Sequence, residues 1–141
     1  MADRITTRAF VIDDYEQACA LWNAADGIEV CEGDSREEIR AYLERNPGLS
    51  RVADAADVIA GAVLCGHDGR RGFIYHLAVA PDFRGRGVGK LLIADCLRGL
   101  GAAGIQRAIL LVAKDNSSGR EFWLRNGWEE LSEALPMTHE T

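Results

Sequence analysis

Between positions 84 and 90 the chain reads Arg-Gly-Arg-Gly-Val-Gly-Lys, and no other segment restricts its fold and chemistry so tightly. Gly85, Gly87 and Gly89 strip alternate positions of side chains, so a ligand can approach the backbone closely. Upstream, Phe73 to Ala80 has the apolar and aromatic character of a strand and stops at Pro81-Asp82. Downstream, Val88, Leu92, Cys96 and Leu100 recur every four residues, and Leu91 and Leu97 widen the stripe. That spacing predicts a helix from Val88 to about Gly101. The loop therefore joins a strand to a helix N-terminus, where unpaired N–H groups and the helix dipole favour an anion. Arg84, Arg86 and Lys90 add cationic donors. The segment is physically a cradle for phosphate or pyrophosphate.

Two familiar phosphate cradles fail on the residues. A P-loop needs G-x-x-x-x-G-K-[ST], but Leu91 stands at the Ser/Thr position and no glycine precedes Gly89 at the right spacing. A dinucleotide fingerprint needs G-x-G-x-x-G in the first β-α unit. Here Gly87-x-Gly89 is followed by Leu92 and lies far into the chain.

The remaining elements follow from periodicity. Arg4 to Ile12 reads as a strand; Asp13 with Glu16 as a capping box for a helix carrying Ala18, Leu21, Trp22 and Ala25. Gly27 to Asp34 is a polar loop. Ser35 with Glu38 opens a second helix, with Ile39, Tyr42 and Leu43 on one face, which Asn46-Pro47-Gly48 ends. Leu49–Asp54 and Val58–Gly66 read as strands around a turn at Ala55-Ala56-Asp57. His67 to Gly72 is another turn, so three consecutive strands form an antiparallel meander. Arg107 to Ala113 is almost continuously apolar and predicts a strand buried on both faces. Ser118 with Glu121 starts a short helix through Phe122 and Leu124, capped by Gly127, and residues 128–141 have room for one or two short strands. Trp22 and Trp128 read as packing residues, Trp128 at the start of the final strand. With 141 residues and no linker or repeat, positions 1–141 are expected to form one domain.

Sixteen Lys and Arg against 22 Asp and Glu give a net charge of −6. A nucleic acid or anionic membrane would want a basic face, so neither is expected as a partner. Cys19, Cys31, Cys65 and Cys96 have neither the close spacing of a metal site nor that of a disulfide framework; no metal is expected, and free thiols in a reducing compartment fit better. Cys65 and Cys96 read as core residues. Asp3 and Arg4 fall where the apolar stretch of a secretory signal would begin, and Val58–Cys65 is too short to span a bilayer. A cytoplasmic protein is the expectation.

Arg84-x-x-Gly87-x-Gly89, preceded by Leu77-Ala78-Val79-x-Pro81, closely resembles the coenzyme A signature of the GNAT superfamily of N-acetyltransferases. Asn116, Phe122-Trp123 and Gly127-Trp128 resemble the family's last motif, N-x-x-A-x-x-[LF]-Y-x-x-x-G-[FY]. The element order β-α-α-β-β-β-α-β-α matches as well, and the chain looks most like small bacterial members. The resemblance implies an α/β fold with a mixed, mostly antiparallel central sheet flanked by about four helices. It implies acetyl-CoA as acetyl donor, with its pyrophosphate on Arg84, Gly85, Arg86, Gly87, Val88, Gly89 and Lys90. The pantetheine arm would pair with Leu77, Ala78 and Val79 like an added strand, near Asn116 and Phe122. The acetyl group would pass to a primary amine, of a small molecule or a peptide, by direct attack, a backbone N–H stabilising the oxyanion.

The catalytic groups depart from the family pattern. Trp123 stands where many members carry an acidic tyrosine, and an indole N–H cannot deliver a proton. Phe73 and Leu111 occupy positions where a family carboxylate is often found. Tyr75 and His76 are the replacement candidates, and strand alternation sends their side chains to opposite faces. A strand histidine can equally be a packed structural residue. Glu29, Glu32 and Asp34 lie in the loop that lines the acceptor site in this family and would draw a cation, or form only a solvated acidic loop. The missing tyrosine and carboxylate leave a second reading, a coenzyme A-binding sensor without transferase activity. A homodimer, with a partner completing a short final strand, is a further expectation.

Overall fold

The computed structural model describes residues 4–141; Asp3, named above, lies outside them. Its strands are β1 (Ile5–Ala9), β2 (Arg51–Ala55), β3 (Val58–His67), β4 (Gly72–Val79) and β5 (Ala108–Ile109). They form one sheet in the order β1-β2-β3-β4-β5, antiparallel throughout except for the parallel β4–β5 pair. The helices are α1 (Tyr15–Ala24), α2 (Arg36–Arg45), α3 (Val88–Ala102) and α4 (Ser117–Arg125).

Two cores lie on opposite faces of this sheet. Val88, Leu92, Ile93, Cys96 and Leu100, the stripe of α3, pack on Ala53, Val63, Cys65 and Ile74. Trp22 of α1 and Ile39 of α2 pack on Val52, Ala62, Leu64 and Ala78. Central β3 feeds alternate side chains into both, which is why it is buried along nearly its whole length.

Local chemistry explains the joints. Ala56 (φ 51°) and Asp57 (φ 69°) are both left-handed, the two-residue hairpin turn that matches strand twist. Asp54 Oδ1 accepts the Asp57 N–H at 3.1 Å. The Ser35–Glu38 capping box forms with both bonds at 3.2 Å. The expected Asp13–Glu16 box does not form. A short 3₁₀ turn, Ile12–Asp14, precedes α1 instead, and the buried Asp14 carboxylate accepts the Val11 N–H at 2.9 Å. Arg8 on β1 draws Asp14 inward through bonds of 2.8 and 2.9 Å, so β1 ends at Ala9 rather than Ile12.

Two expectations fail in the last third of the chain. Only Ala108 and Ile109 of the apolar run pair with β4; Leu110–Ala113 leave the sheet, and Leu111 is 69% exposed. The run is therefore not buried on both faces. Residues 128–141 form no strand, because a two-residue β5 offers too little ladder for a further one. Trp128 does not start a strand but closes α4. Gly127 (φ 90°) and Trp128 donate to Leu124 O and Trp123 O at 3.2 and 3.1 Å. The Trp128 ring meets Trp123 edge-on at 5.1 Å, which is the hydrophobic contact expected of such a cap.

Burial works against the Asp14 charge, but the Arg8 hydrogen bonds, the Val11 N–H and the Arg8 charge outweigh it and hold the carboxyl below its ordinary range. The stabilisation is therefore complete above that ordinary range and is lost as pH falls through the lowered value. Asp14→Asn should cost about 1–2 kcal/mol in urea unfolding at neutral pH. The difference from the parent should shrink as pH falls through the lowered Asp14 value, below the ordinary carboxylate range.

Candidate active site

The site begins where the sheet stops. The β4–β5 register runs only from Gly72–Ala108 to Phe73–Ile109. Beyond it the two segments diverge and leave a cleft of about 860 Å³ between residues 74–79 and 110–113. Its far wall is α4, through Asn116, Phe122 and Trp123, and its other mouth is the loop Ala25–Glu29. Leu77, Ala78 and Val79 thus lie on an edge with no neighbouring strand, free to pair with an extended ligand.

The glycine loop closes one end. Gly85 (φ 76°) and Gly87 (φ 79°) are left-handed, and a Cβ built on either would meet nothing within 4 Å. Among the described residues, no N–H from Gly85 to Lys90 donates to a backbone or side-chain acceptor. The loop is thus an open ring of donors at the α3 N-terminus, and its chemistry fits a pyrophosphate. Gly89 makes the α3–α4 approach possible, since a Cβ there would lie 3.1 Å from the Phe122 ring. Arg84 lines the cleft, its Nε donating to Val79 O at 3.3 Å, and Lys90 lines it too. Arg86 instead lies over the Phe83 ring, 5.1 Å from its centroid, and does not line the cleft. Asn116 lines the cleft and also caps α4, its Oδ1 accepting the Gly119 N–H at 3.1 Å.

A β-bulge corrects the alternation argument. Leu64 pairs with Tyr75 and Ala62 with Ala78, so His76 and Leu77 together oppose Val63. His76 takes φ 55°, a costly conformation for a residue with a Cβ. Tyr75 stands opposite Leu64 on the α1–α2 face, and the His76 ring packs against Trp22 of the same face at 5.1 Å. Both candidates therefore share one face, and both line the cleft. Partial burial pushes the Tyr75 phenol pKa upward.

The acidic loop residues separate. Glu29 lines the cleft, joined by Asp26, which the sequence reading did not single out. Glu32 is exposed and lies outside the lining. Asp34 is buried and accepts a 2.9 Å hydrogen bond from His76 Nε2, so it faces a ring of this protein instead of the cleft. Nothing in the local pattern signals the bulge or this pairing, because they depend on how β4 and the loop meet in space. Trp123 lines the cleft, held edge-on between Phe122 at 5.2 Å and Trp128.

Comparison with known proteins agrees with this fold. Residues 12–128 match the model of the acetyltransferase (GNAT) family. An acetyltransferase of Photorhabdus laumondii is 36% identical over 111 residues, covering 79% of this chain and 77% of that protein. One of Pectobacterium atrosepticum is 38% identical over the same length, covering 79% and 78%. Among solved structures, the PaiA N-acetyltransferase of Thermoplasma acidophilum in complex with coenzyme A superposes with a TM-score of 0.77 at 21% identity, over 89% of this chain and 90% of that one.

The chain belongs to the acetyltransferase (GNAT) family. It is an acetyl-CoA-dependent acetyltransferase, which sets aside the sensor reading. Arg84, Lys90 and the N–H groups of Gly85–Lys90 are the groups that would hold the pyrophosphate. Gly87→Val should weaken coenzyme A binding by about tenfold or more, because a branched residue resists φ 79° and fills the cradle. Titration of the folded variant with coenzyme A by calorimetry checks this.

Proposed function

We propose that the protein acetylates a small, positively charged primary amine by direct attack on acetyl-CoA, with His76 as base and Tyr75 as acid. The observation that carries the reading is the continuity of the cleft, from the donor ring at Gly85–Lys90 to the shared face of His76 and Tyr75. Asp26 and Glu29 at the acceptor mouth favour a cationic substrate.

His76 takes a proton from the ammonium, freeing the nitrogen lone pair to bond to the thioester carbonyl carbon. The C–S bond then breaks and the sulfur leaves as thiolate. Tyr75, whose raised pKa keeps it protonated, gives that thiolate a proton. The second proton lost by nitrogen restores the phenol, so the charges balance. Trp123 has no part in proton delivery; its ring supports the α4 cap and the α3-side core. The four thiols, all unpaired, suit a reducing compartment such as the cytoplasm.

Thiol release from acetyl-CoA should depend on added amine, with small cationic amines giving the highest kcat/KM in a panel that also includes neutral amino sugars and peptides. Release that is indifferent to every amine would sink the proposal. His76→Gln should lower kcat by about 10²–10⁴-fold. Tyr75→Phe should lower it by about tenfold or more while leaving KM for acetyl-CoA nearly unchanged.

A further inference from the structure

His76 is held by one hydrogen bond whose other partner is unusually fixed. His76 Nε2 lies 2.9 Å from Asp34 Oδ2, with both side chains largely buried. The same carboxylate oxygen accepts the Cys31 N–H at 3.1 Å. The Asp34 main chain is tied as well: its carbonyl accepts the Tyr15 hydroxyl at 2.6 Å, and its N–H donates to Cys31 O at 3.1 Å. Asp34 is therefore set in place by α1 and by its own loop before it meets the imidazole.

The chemistry of that contact is directional. A carboxylate offers only acceptors, so the ring nitrogen facing it carries the hydrogen, and Nδ1 is left bare in the neutral ring. Nδ1 has no partner among the described side chains and backbone. Among the described residues, the buried polar side-chain atoms that lack a partner are Trp22 Nε1 and Tyr42 Oη. Nδ1 is not one of them, so it is open to solvent, and His76 lines the cleft.

We infer that Asp34 is a positioning residue for acetyl transfer: its carboxylate fixes the Nε2–H tautomer of His76, leaves Nδ1 as the proton acceptor and steadies the imidazolium that forms. The inference rests on the reading of His76 as base. It also accounts for the costly φ of 55° at His76, which brings the ring onto the face where Asp34 and Trp22 wait. Because Asp34 closes the loop that carries Asp26 and Glu29, the base is built on the same segment that lines the acceptor mouth.

The test is Asp34→Asn in the full chain, which keeps an acceptor oxygen and removes the charge. Values of kcat and of KM for acetyl-CoA and for the best amine are measured from acidic to mildly basic pH. Only the Asp34 charge changes in the variant.

We expect kcat to fall by about tenfold to a hundredfold, with both KM values within about threefold. An unchanged kcat, with His76→Gln nearly inactive, would overturn the role of Asp34 and leave His76 as base. Activity retained by His76→Gln would remove the base and this inference with it. Nitrogen NMR of the His76 ring in the parent protein needs no variant to fold. It should show a protonated Nε2 and a bare Nδ1 in the neutral form, and the opposite tautomer would overturn the proposal.

Discussion

The candidate site of this protein depends on two strands that pair for two residues and then separate. A sheet edge exposes N–H and C=O groups that must find water or another partner. By parting after Phe73–Ile109, β4 and the segment 110–113 turn an interior strand pair into a cleft with such an edge along one wall. The separation is held by packing. Phe122 of α4 sits against Gly89 of α3, and Trp123 and Trp128 meet edge-on behind it. The cleft follows from that single divergence, and the donor ring and the acidic mouth lie at its two ends.

The bulge in β4 is the second constraint, and it acts at right angles to the first. An extra residue opposite Val63 reverses the side-chain alternation, so that Tyr75 and His76 face the same side while Leu77 and Val79 return to the α3 core. A regular strand would have turned one of the two candidates away from the acceptor side. The strained backbone at His76 is matched by two contacts to its ring, the tilted Trp22 indole at 5.1 Å and the Asp34 carboxylate at Nε2. Strain held by surrounding structure in this way is typical of sites where a side chain must be aimed. α1 and its following loop therefore serve two purposes: they cover one face of the sheet and orient a group on it.

Much of the fold was legible because its signals are local. The α3 stripe, the Ser35–Glu38 box, the turn at Ala56-Asp57 and the Gly127 cap each depend on residues within a few positions of one another, and each formed as read. The misreadings involve partners far apart in the chain. Asp14 rather than Asp13 secures the entry to α1 because Arg8 reaches it from β1. Leu110–Ala113 looked like a buried strand because apolar character was read without knowing that the sheet would end beside it.

By itself, the sequence determined the donor ring and its place between a strand and a helix, since glycine spacing and backbone N–H groups need no distant partner to be available. It also determined the family, through two motifs at their proper separation. Only the tertiary structure decided which groups line the cleft. A one-residue change of register inverts every side chain beyond it, and register is set by the neighbouring strand rather than by the strand's own residues. Asp34, 42 positions from His76 in the chain, became its partner because a loop and a bulge meet in space.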